Sequence, residues 1–232
     1  MTDIASQTAE LLVHSRQTDS PLIALPATLE PADLDQAYAV QDATLRRIGR
    51  SGGWKVAPKP DGEPRCALLP ASAFHASGVT LQVPANGFEI EVETAFTFGD
   101  DGGIVSVHLA VELISSRFRD RKGISVFTSV ADLQGNAAVV VGPAHDPNGL
   151  DLAALEATLM LDGTALDLPQ RHAGLPATLP VLDWLAEHAR RRGHPLGTVI
   201  TGARIGPVPL GRVERLEVSA TGLDAVSITF TH

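Results

Sequence analysis

The segment 88–98, with the sequence FEIEVETAFTF, alternates apolar and acidic side chains almost without interruption. Because a β-strand sends successive side chains to opposite faces, the pattern predicts a strand with one apolar face and one carboxylate face. The carboxylate face carries Glu89, Glu91 and Glu93, spaced about 6.6 Å apart along the strand, twice the rise per residue. Carboxylates at this spacing repel one another unless water, a proton or a cation lies between them. Water, protons or a cation must therefore lie between the carboxylates on this face.

A second strand is predicted over Ile104 to Ile114, where another carboxylate interrupts an apolar run. The large apolar side chains from Val107 to Leu113 share one parity, and Glu112 has the other. If the two strands are neighbours, Glu112 joins Glu91 and Glu93 as three hard oxygen ligands of the kind that Mg²⁺ or Mn²⁺ prefers. The pattern leaves a second interpretation open, in which the glutamates form a water-exposed face of the sheet.

Lys55 is a single cation inside the apolar, strand-like segment Gly53 to Val56. Such a lysine can extend its ammonium group to water along its apolar stem. If it is partly desolvated beside a metal ion, it would instead have a lowered pKa and could exchange protons near neutral pH. The pattern alone leaves both interpretations open.

The spacing of apolar residues along the chain predicts an α+β fold that is mainly sheet. An N-terminal helix is predicted around residues 4–12, and a second helix over Pro31 to Arg50. A third helix is predicted over Leu179 to Arg192, with Gly193 as its stop. Further short strands are predicted at residues 54–56, 68–69, 79–83, 137–141, 157–161, 165–168, 198–201, 213–220 and 225–230.

Length and composition indicate one domain, residues 1–232, with a helical N-terminal arm (1–50) and a mixed β core (51–232). The 44% of hydrophobic residues can form a sizeable core. A net charge of −9 argues against nucleic acid as a partner, because phosphate binding needs a basic surface. Cys66 is the single cysteine, which excludes a disulfide framework and favours the cytoplasm. No run approaches the roughly 18 apolar residues of a membrane span.

A series of short motifs follows in a defined order along the chain. They are AYAVQD at 37–42, GWKV at 53–56, IEVE at 90–93, VELISSR at 111–117, VAD at 130–132, VVGP at 140–143, GLDL at 149–152, WLA at 184–186, HPL at 194–196 and ITGA at 200–203. Their order resembles that of the 2-keto-4-pentenoate hydratase group of the fumarylacetoacetate hydrolase superfamily, which includes the 2-oxo-3-hexenedioate decarboxylases. The resemblance covers the chain from about residue 35 onward. It implies the superfamily's mixed β roll with peripheral helices, a homo-oligomer, and a role in the catabolism of aromatic compounds.

The resemblance also implies roles for individual residues. These are Lys55 for proton transfer, Thr201, Gly202 and Asp132 beside the substrate, and Glu91, Glu93 and Glu112 as ligands of Mg²⁺ or Mn²⁺. Glu89 lies outside this ligand set. The implied substrate is a small 2-oxo acid or 2-hydroxydienoic acid, whose developing enolate the metal would stabilise by several kcal/mol. The implied reaction is that of a lyase, by addition of water or loss of CO₂.

The chain departs from the family pattern in its loops. The link from Ala57 to Pro64 is short, and Arg65 stands where the family has an acidic residue. In the segment Ala131 to Gly135, the family's asparagine and serine are absent. Two alternatives therefore stay open: a hydrolase that cleaves a C–C bond of an acylpyruvate-like substrate, and a catalytically weakened relative that binds a metabolite.

Overall fold

The structure of the protein is a computed structural model that describes residues 3–57 and 63–232. Its helices are α1 (Ile4–Thr18), α2 (Leu34–Ile48), α3 (Val126–Ala131) and α4 (Leu175–Arg192). Its strands are β1 (Ser51–Ala57), β2 (Arg65–Pro70), β3 (Phe74–Ala76), β4 (Val79–Gln82), β5 (Glu89–Phe98), β6 (Ile104–Ile114), β7 (Asn136–Val141), β8 (Ala157–Leu161), β9 (Thr164–Ala165), β10 (Thr198–Ile200), β11 (Ile205–Pro209), β12 (Arg215–Ala220) and β13 (Leu223–Thr231). The architecture is α+β and mainly sheet, which confirms the predicted fold class. Within the described ranges, no helix is long and apolar enough to cross a membrane.

The three predicted helices are present as α1, α2 and α4, with shifts at their ends. α2 begins at Leu34 rather than at Pro31, because the Asp33 side chain accepts a hydrogen bond from the Gln36 N–H at 2.8 Å and caps the helix. Gly49 follows its last residue, as predicted. The helix ends therefore follow local capping chemistry more closely than apolar spacing.

α4 begins at Leu175, earlier than the predicted Leu179. Pro176 occupies its first turn, where a missing N–H costs no helical hydrogen bond. Three short elements, α3, β3 and β11, were not predicted. β11 escaped prediction because Gly206 and Pro207 interrupt its alternation, and both residue types are depleted in strands.

The described strands form two sheets. The larger has eight strands in the order β2-β1-β10-β5-β6-β7-β3, with β11 also paired to β5, and the smaller has the order β4-β13-β12-β8-β9. β5 therefore lies inside the larger sheet and pairs with β6 along its length. On its other edge, β10 pairs with residues 95–97 and β11 with residues 89–92. The connection 201–204 runs between β10 and β11 and places a loop beside the middle of β5.

The two faces of β5 are both buried over its central part. Its apolar face contributes Ile90, Val92 and Phe96 to the main core, which also contains Leu185 of α4 and Ile228 of β13. The opposite face belongs to a smaller apolar cluster whose members are Ala67, Leu69, Ala95, Ala110, Leu133, Val139 and Ile200. The carboxylate face of the opening segment is thus largely shielded from water.

Candidate metal centre

The strand register brings the three predicted ligands together. Glu91 lies directly opposite Glu112 on β6, and Glu93 follows on the same face of β5, opposite Ala110. Carboxylate oxygens of the three glutamates lie within 4.8 Å of one another. Glu93 and Glu112 are fully buried, and the Glu91 side chain is 14% exposed. The alternative of a water-exposed glutamate face is therefore wrong for Glu93 and Glu112.

The charges of this cluster fit a divalent cation. Three ionised carboxylates and the Lys55 ammonium would leave two uncompensated negative charges in a buried place, which one divalent ion would balance. Within residues 3–57 and 63–232, Glu93 Oε1 has no hydrogen-bonding partner. Burial, followed by the nearby Glu112 carboxylate, raises the pKa of Glu93 well above its usual value. Oxygen-only ligands suit Mg²⁺, Mn²⁺ or Ca²⁺, so the residues present fit such an ion.

Lys55 lies against this cluster rather than extending to water. Its Nζ is 2.5 Å from Glu112 Oε2 and 3.7 Å from Glu91 Oε2. Burial alone would lower the pKa of Lys55, but the carboxylates of Glu112, Glu91 and Glu93 together outweigh burial and raise it. The lowered pKa expected for Lys55 from the sequence is that of a lysine beside a bound metal ion. A bound divalent ion would lower the pKa of Lys55, because it offsets the charge of the same carboxylates.

Two further groups hold the side chains of two predicted ligands in place. The Gly202 backbone N–H donates to Glu93 Oε2 at 2.7 Å, and Asn136 Nδ2 donates to Glu112 Oε1 at 2.9 Å. Gly202 has a φ of 102°, a left-handed conformation that favours glycine. Asn136 is fully buried at the start of β7. It was missed in the sequence, where a single asparagine before an apolar run carries no recognisable signal.

A cavity of about 380 Å³ opens beside the carboxylates. Its lining includes Lys55 and Glu91 from the cluster, together with Thr201 and Gly202, which were predicted to lie by the substrate. Phe96, Ala177 and Val181 supply apolar parts of the wall, the last two from α4. The cavity thus joins the predicted proton-transfer lysine, one predicted ligand and two predicted substrate residues.

The structure does not bring Asp132 to this cavity. Asp132 is 2% exposed and pairs with Arg117, while its Oδ2 also accepts a hydrogen bond from Ser116 Oγ at 2.7 Å. These contacts give Asp132 the partners of a structural ion pair. Glu89 also lies outside the cluster, as predicted, and pairs with Arg121.

The side chains facing Lys55 from β2 differ from those of the family pattern. Ala67 is the residue directly opposite Lys55, and Arg65 lies two positions earlier, opposite Ala57. No acid of β2 therefore faces the lysine. The predicted short link from Ala57 to Pro64 lies partly outside the described residues.

The chain is similar to known proteins over most of its length. No family model matches. The 2-keto-4-pentenoate hydratase of Paraburkholderia phymatum is 34% identical over 225 residues, covering 84% of this chain and 83% of that protein. Among solved structures, 4-oxalocrotonate decarboxylase from Pseudomonas putida G7, complexed with magnesium and adipate, has a TM-score of 0.82 at 20% identity and covers 98% of this chain and 97% of its own. Fumarylpyruvate hydrolase from Pseudomonas aeruginosa, in complex with Mn²⁺ and pyruvate, has a TM-score of 0.54 at 14% identity, covering 79% and 90%.

The two-sheet architecture is thus the fold of 4-oxalocrotonate decarboxylase, and in part that of fumarylpyruvate hydrolase. The identity to the P. phymatum protein over most of both chains shows that this chain belongs to the 2-keto-4-pentenoate hydratase family.

Proposed function

We propose that this protein is a divalent-metal-dependent lyase of the hydratase or decarboxylase type, acting on a small 2-oxo or 2-hydroxydienoic acid. The observation that carries the proposal is the buried cluster of Glu91, Glu93 and Glu112, with Lys55 against it and a cavity beside it. The relatives named as a hydratase and a decarboxylase support a metal-dependent function of this class.

Glu91, Glu93 and Glu112 would hold the metal ion. When bound, the ion would act as a Lewis acid on the substrate's carboxylate and 2-oxo oxygens and stabilise negative charge that develops there. Gly202 and Asn136 fix two of the ligand carboxylates by hydrogen bonds, so the ligands need little rearrangement on binding.

Lys55 would hold and move the proton. Its Nζ lies at the boundary between the carboxylates and the cavity, where a substrate carbon that gains or loses a proton can approach it. The apolar side chains of Phe96 and Val181 would exclude bulk water from the same space. Thr201 lines the cavity while its Oγ1 donates to the Thr94 carbonyl at 3.4 Å, which leaves the Thr201 oxygen able to accept a hydrogen bond from the substrate.

The test is a spectroscopic turnover assay with 2-hydroxydienoates, 2-oxo-3-hexenedioate and acylpyruvates, in the presence of Mg²⁺ or Mn²⁺. We expect turnover of one of the first two substrates and its loss by about 10²- to 10⁴-fold in Lys55→Met, because proton transfer contributes this much. Lys122→Met, at an exposed lysine, is the matched control and should keep full activity.

Other outcomes would contradict the proposal in distinct ways. Turnover of acylpyruvates alone would favour the C–C hydrolase. Stoichiometric metal binding without turnover of any substrate would favour the metabolite-binding alternative. Full activity in Lys55→Met would remove Lys55 from the mechanism.

A further inference from the structure

Arg204 is a buried arginine with one unused hydrogen-bonding group. It lies in the connection between β10 and β11 and is 5% exposed. Its Nε donates to Thr94 Oγ1 at 2.6 Å, and its Nη2 donates to the Ala173 carbonyl at 3.0 Å. Within the described residues, Nη1 has no hydrogen-bonding partner and is shielded from solvent. The guanidinium is thus held by two hydrogen bonds, and its Nη1 group has no acceptor among the described residues.

The charge of Arg204 is also uncompensated by the described residues. The buried Arg117 pairs with Asp132, and the largely buried Arg192 pairs with Asp42 at 2.6 Å. In residues 3–57 and 63–232, no carboxylate pairs with Arg204, and burial lowers its pKa. Since an unpaired buried charge is costly, an anion that enters this place would be strongly favoured.

Arg204 lines the same cavity as Lys55 and Glu91. Arg171 lines it as well, and its backbone N–H donates to the Arg204 carbonyl at 2.8 Å. The first turns of α4 contribute Ala177 and Thr178 to the wall, so the partial positive charge of the helix N-terminus lies nearby. One cavity thus has the carboxylate of Glu91 in its lining together with the cationic side chains of Arg171 and Arg204.

We propose that Arg204 binds a second carboxylate of the substrate, so that the site selects 2-oxo dicarboxylic acids over 2-oxo monocarboxylic acids. The inference rests on the proposed function, in which the 2-oxo acid end of the substrate lies at the carboxylate cluster. Arg204 is then a specificity-determining residue, and Arg171 adds a weaker attraction from the exposed side of the cavity. Charge-assisted hydrogen bonds from a preorganised arginine are strong and directional, which gives the selection its physical basis.

The test compares two unreactive 2-oxo acids of equal chain length, 2-oxoadipate and 2-oxohexanoate, which differ by one terminal carboxylate. Their affinities are measured by calorimetry on the full chain with Mg²⁺ in excess. We expect the wild type to bind 2-oxoadipate at least about tenfold more tightly. Arg204→Gln should reduce the preference to the roughly two- to threefold that Arg171 contributes, and leave the affinity for 2-oxohexanoate within about twofold, because the metal end is unchanged. Arg212→Gln, at an exposed arginine outside the cavity, should behave as the wild type.

Arg171→Gln provides a variant at an exposed position that removes no buried hydrogen bond. It should reduce the preference for 2-oxoadipate by about two- to threefold, as expected of a solvent-screened charge. Equal affinities of the two acids for the wild type would overturn the role of Arg204 and leave the proposed function intact. A preference in folded Arg204→Gln as large as in the wild type would do the same. Failure of both acids to bind would overturn the proposed 2-oxo acid site together with this inference.

Discussion

Two buried charged clusters lie side by side in this protein and differ in how their charges are satisfied. In the first, Asp132 pairs with Arg117 and also accepts a hydrogen bond from Ser116 Oγ. The Arg117 guanidinium also donates to the carbonyls of Asp132 and Asn136, at 2.6 and 2.7 Å. In the second, Glu91, Glu93 and Glu112 face a single lysine and share an excess of negative charge. Both are shielded from water, so burial alone does not distinguish a structural pair from a functional site.

The two clusters are joined at one residue. Asn136 accepts a hydrogen bond from Arg117 through its backbone carbonyl and donates one to Glu112 through its side chain. The Asp132–Arg117 pair therefore supports the position of Glu112, a proposed ligand in the second cluster. We expect changes in the first cluster to reduce stability and changes in the second to reduce metal affinity, with Asn136 affecting both.

The largest expected effect is on stability, in Asp132→Ala. Removal of this carboxylate leaves the buried Arg117 without its partner, and such breaks cost about 3–5 kcal/mol. Urea unfolding followed by circular dichroism measures the loss. Asp167→Ala, at an exposed aspartate, should change the free energy of unfolding by less than about 0.5 kcal/mol. A loss in Asp132→Ala no larger than in this control would contradict the structural role.

The next effect is on metal affinity, in Glu112→Gln. Replacement of one charged ligand of three should weaken Mn²⁺ binding by at least about 100-fold, more than the loss of a supporting hydrogen bond costs. Stability without metal should not fall, since the change removes a buried negative charge. Calorimetric titration gives both affinities. Glu89→Gln, which lies outside the cluster and pairs with Arg121, is the control and should bind Mn²⁺ as the wild type does. Equal affinity in Glu112→Gln and wild type would exclude Glu112 as a ligand.

A smaller loss of affinity is expected in Asn136→Ala. Without the donor to Glu112 Oε1, this carboxylate is less well oriented, and supporting residues of this kind contribute about 10- to 100-fold. The same titration, with Asn148→Ala in an exposed turn as control, measures the effect. If Asn136→Ala lowered stability and left affinity unchanged, the link between the two clusters would be structural only.

The smallest effect concerns pH. Burial raises the pKa of Glu91 and Glu93, and the neighbouring Glu112 raises both further. Protons then compete with the metal at pH values above about 4.3, the usual pKa of a glutamate side chain. Affinity for Mn²⁺ should therefore fall as pH falls from 7 to 6, by up to about tenfold for the displacement of one proton. An affinity that does not change over this interval would show that the cluster is fully ionised before the metal binds.

The three proposed ligands could be selected from the sequence in two ways: strand parity, which is a local property, grouped them, and the resemblance to the hydratase group set Glu89 aside. Alternation placed Glu91 and Glu93 on one face, and Glu112 stood out in an otherwise apolar strand. The burial of that face could not be predicted, since it depends on what covers the sheet. Alternation looks the same whether the second face meets water or protein.

The residues that escaped prediction depend on distant parts of the chain. Asn136 gains its role from a strand-to-strand contact, and Arg204 from a cavity formed by separate segments. The interpretation of Asp132 as a substrate residue rested on its motif, whereas its partner Arg117 lies 15 residues earlier and is reached only through the fold. The motif thus singled out Asp132, and the fold gives it the contacts of a buried ion pair away from the cavity.

The central claim is that Glu91, Glu93 and Glu112 bind one divalent cation in the cluster beside Lys55. Its most direct test is anomalous diffraction from a crystal of the protein soaked with Mn²⁺. The account predicts one strong anomalous peak that lies about 2.0–2.4 Å from a carboxylate oxygen of each glutamate, which is the length of a metal–carboxylate bond. A peak at another place, or its absence from the cluster at saturating Mn²⁺, would contradict it.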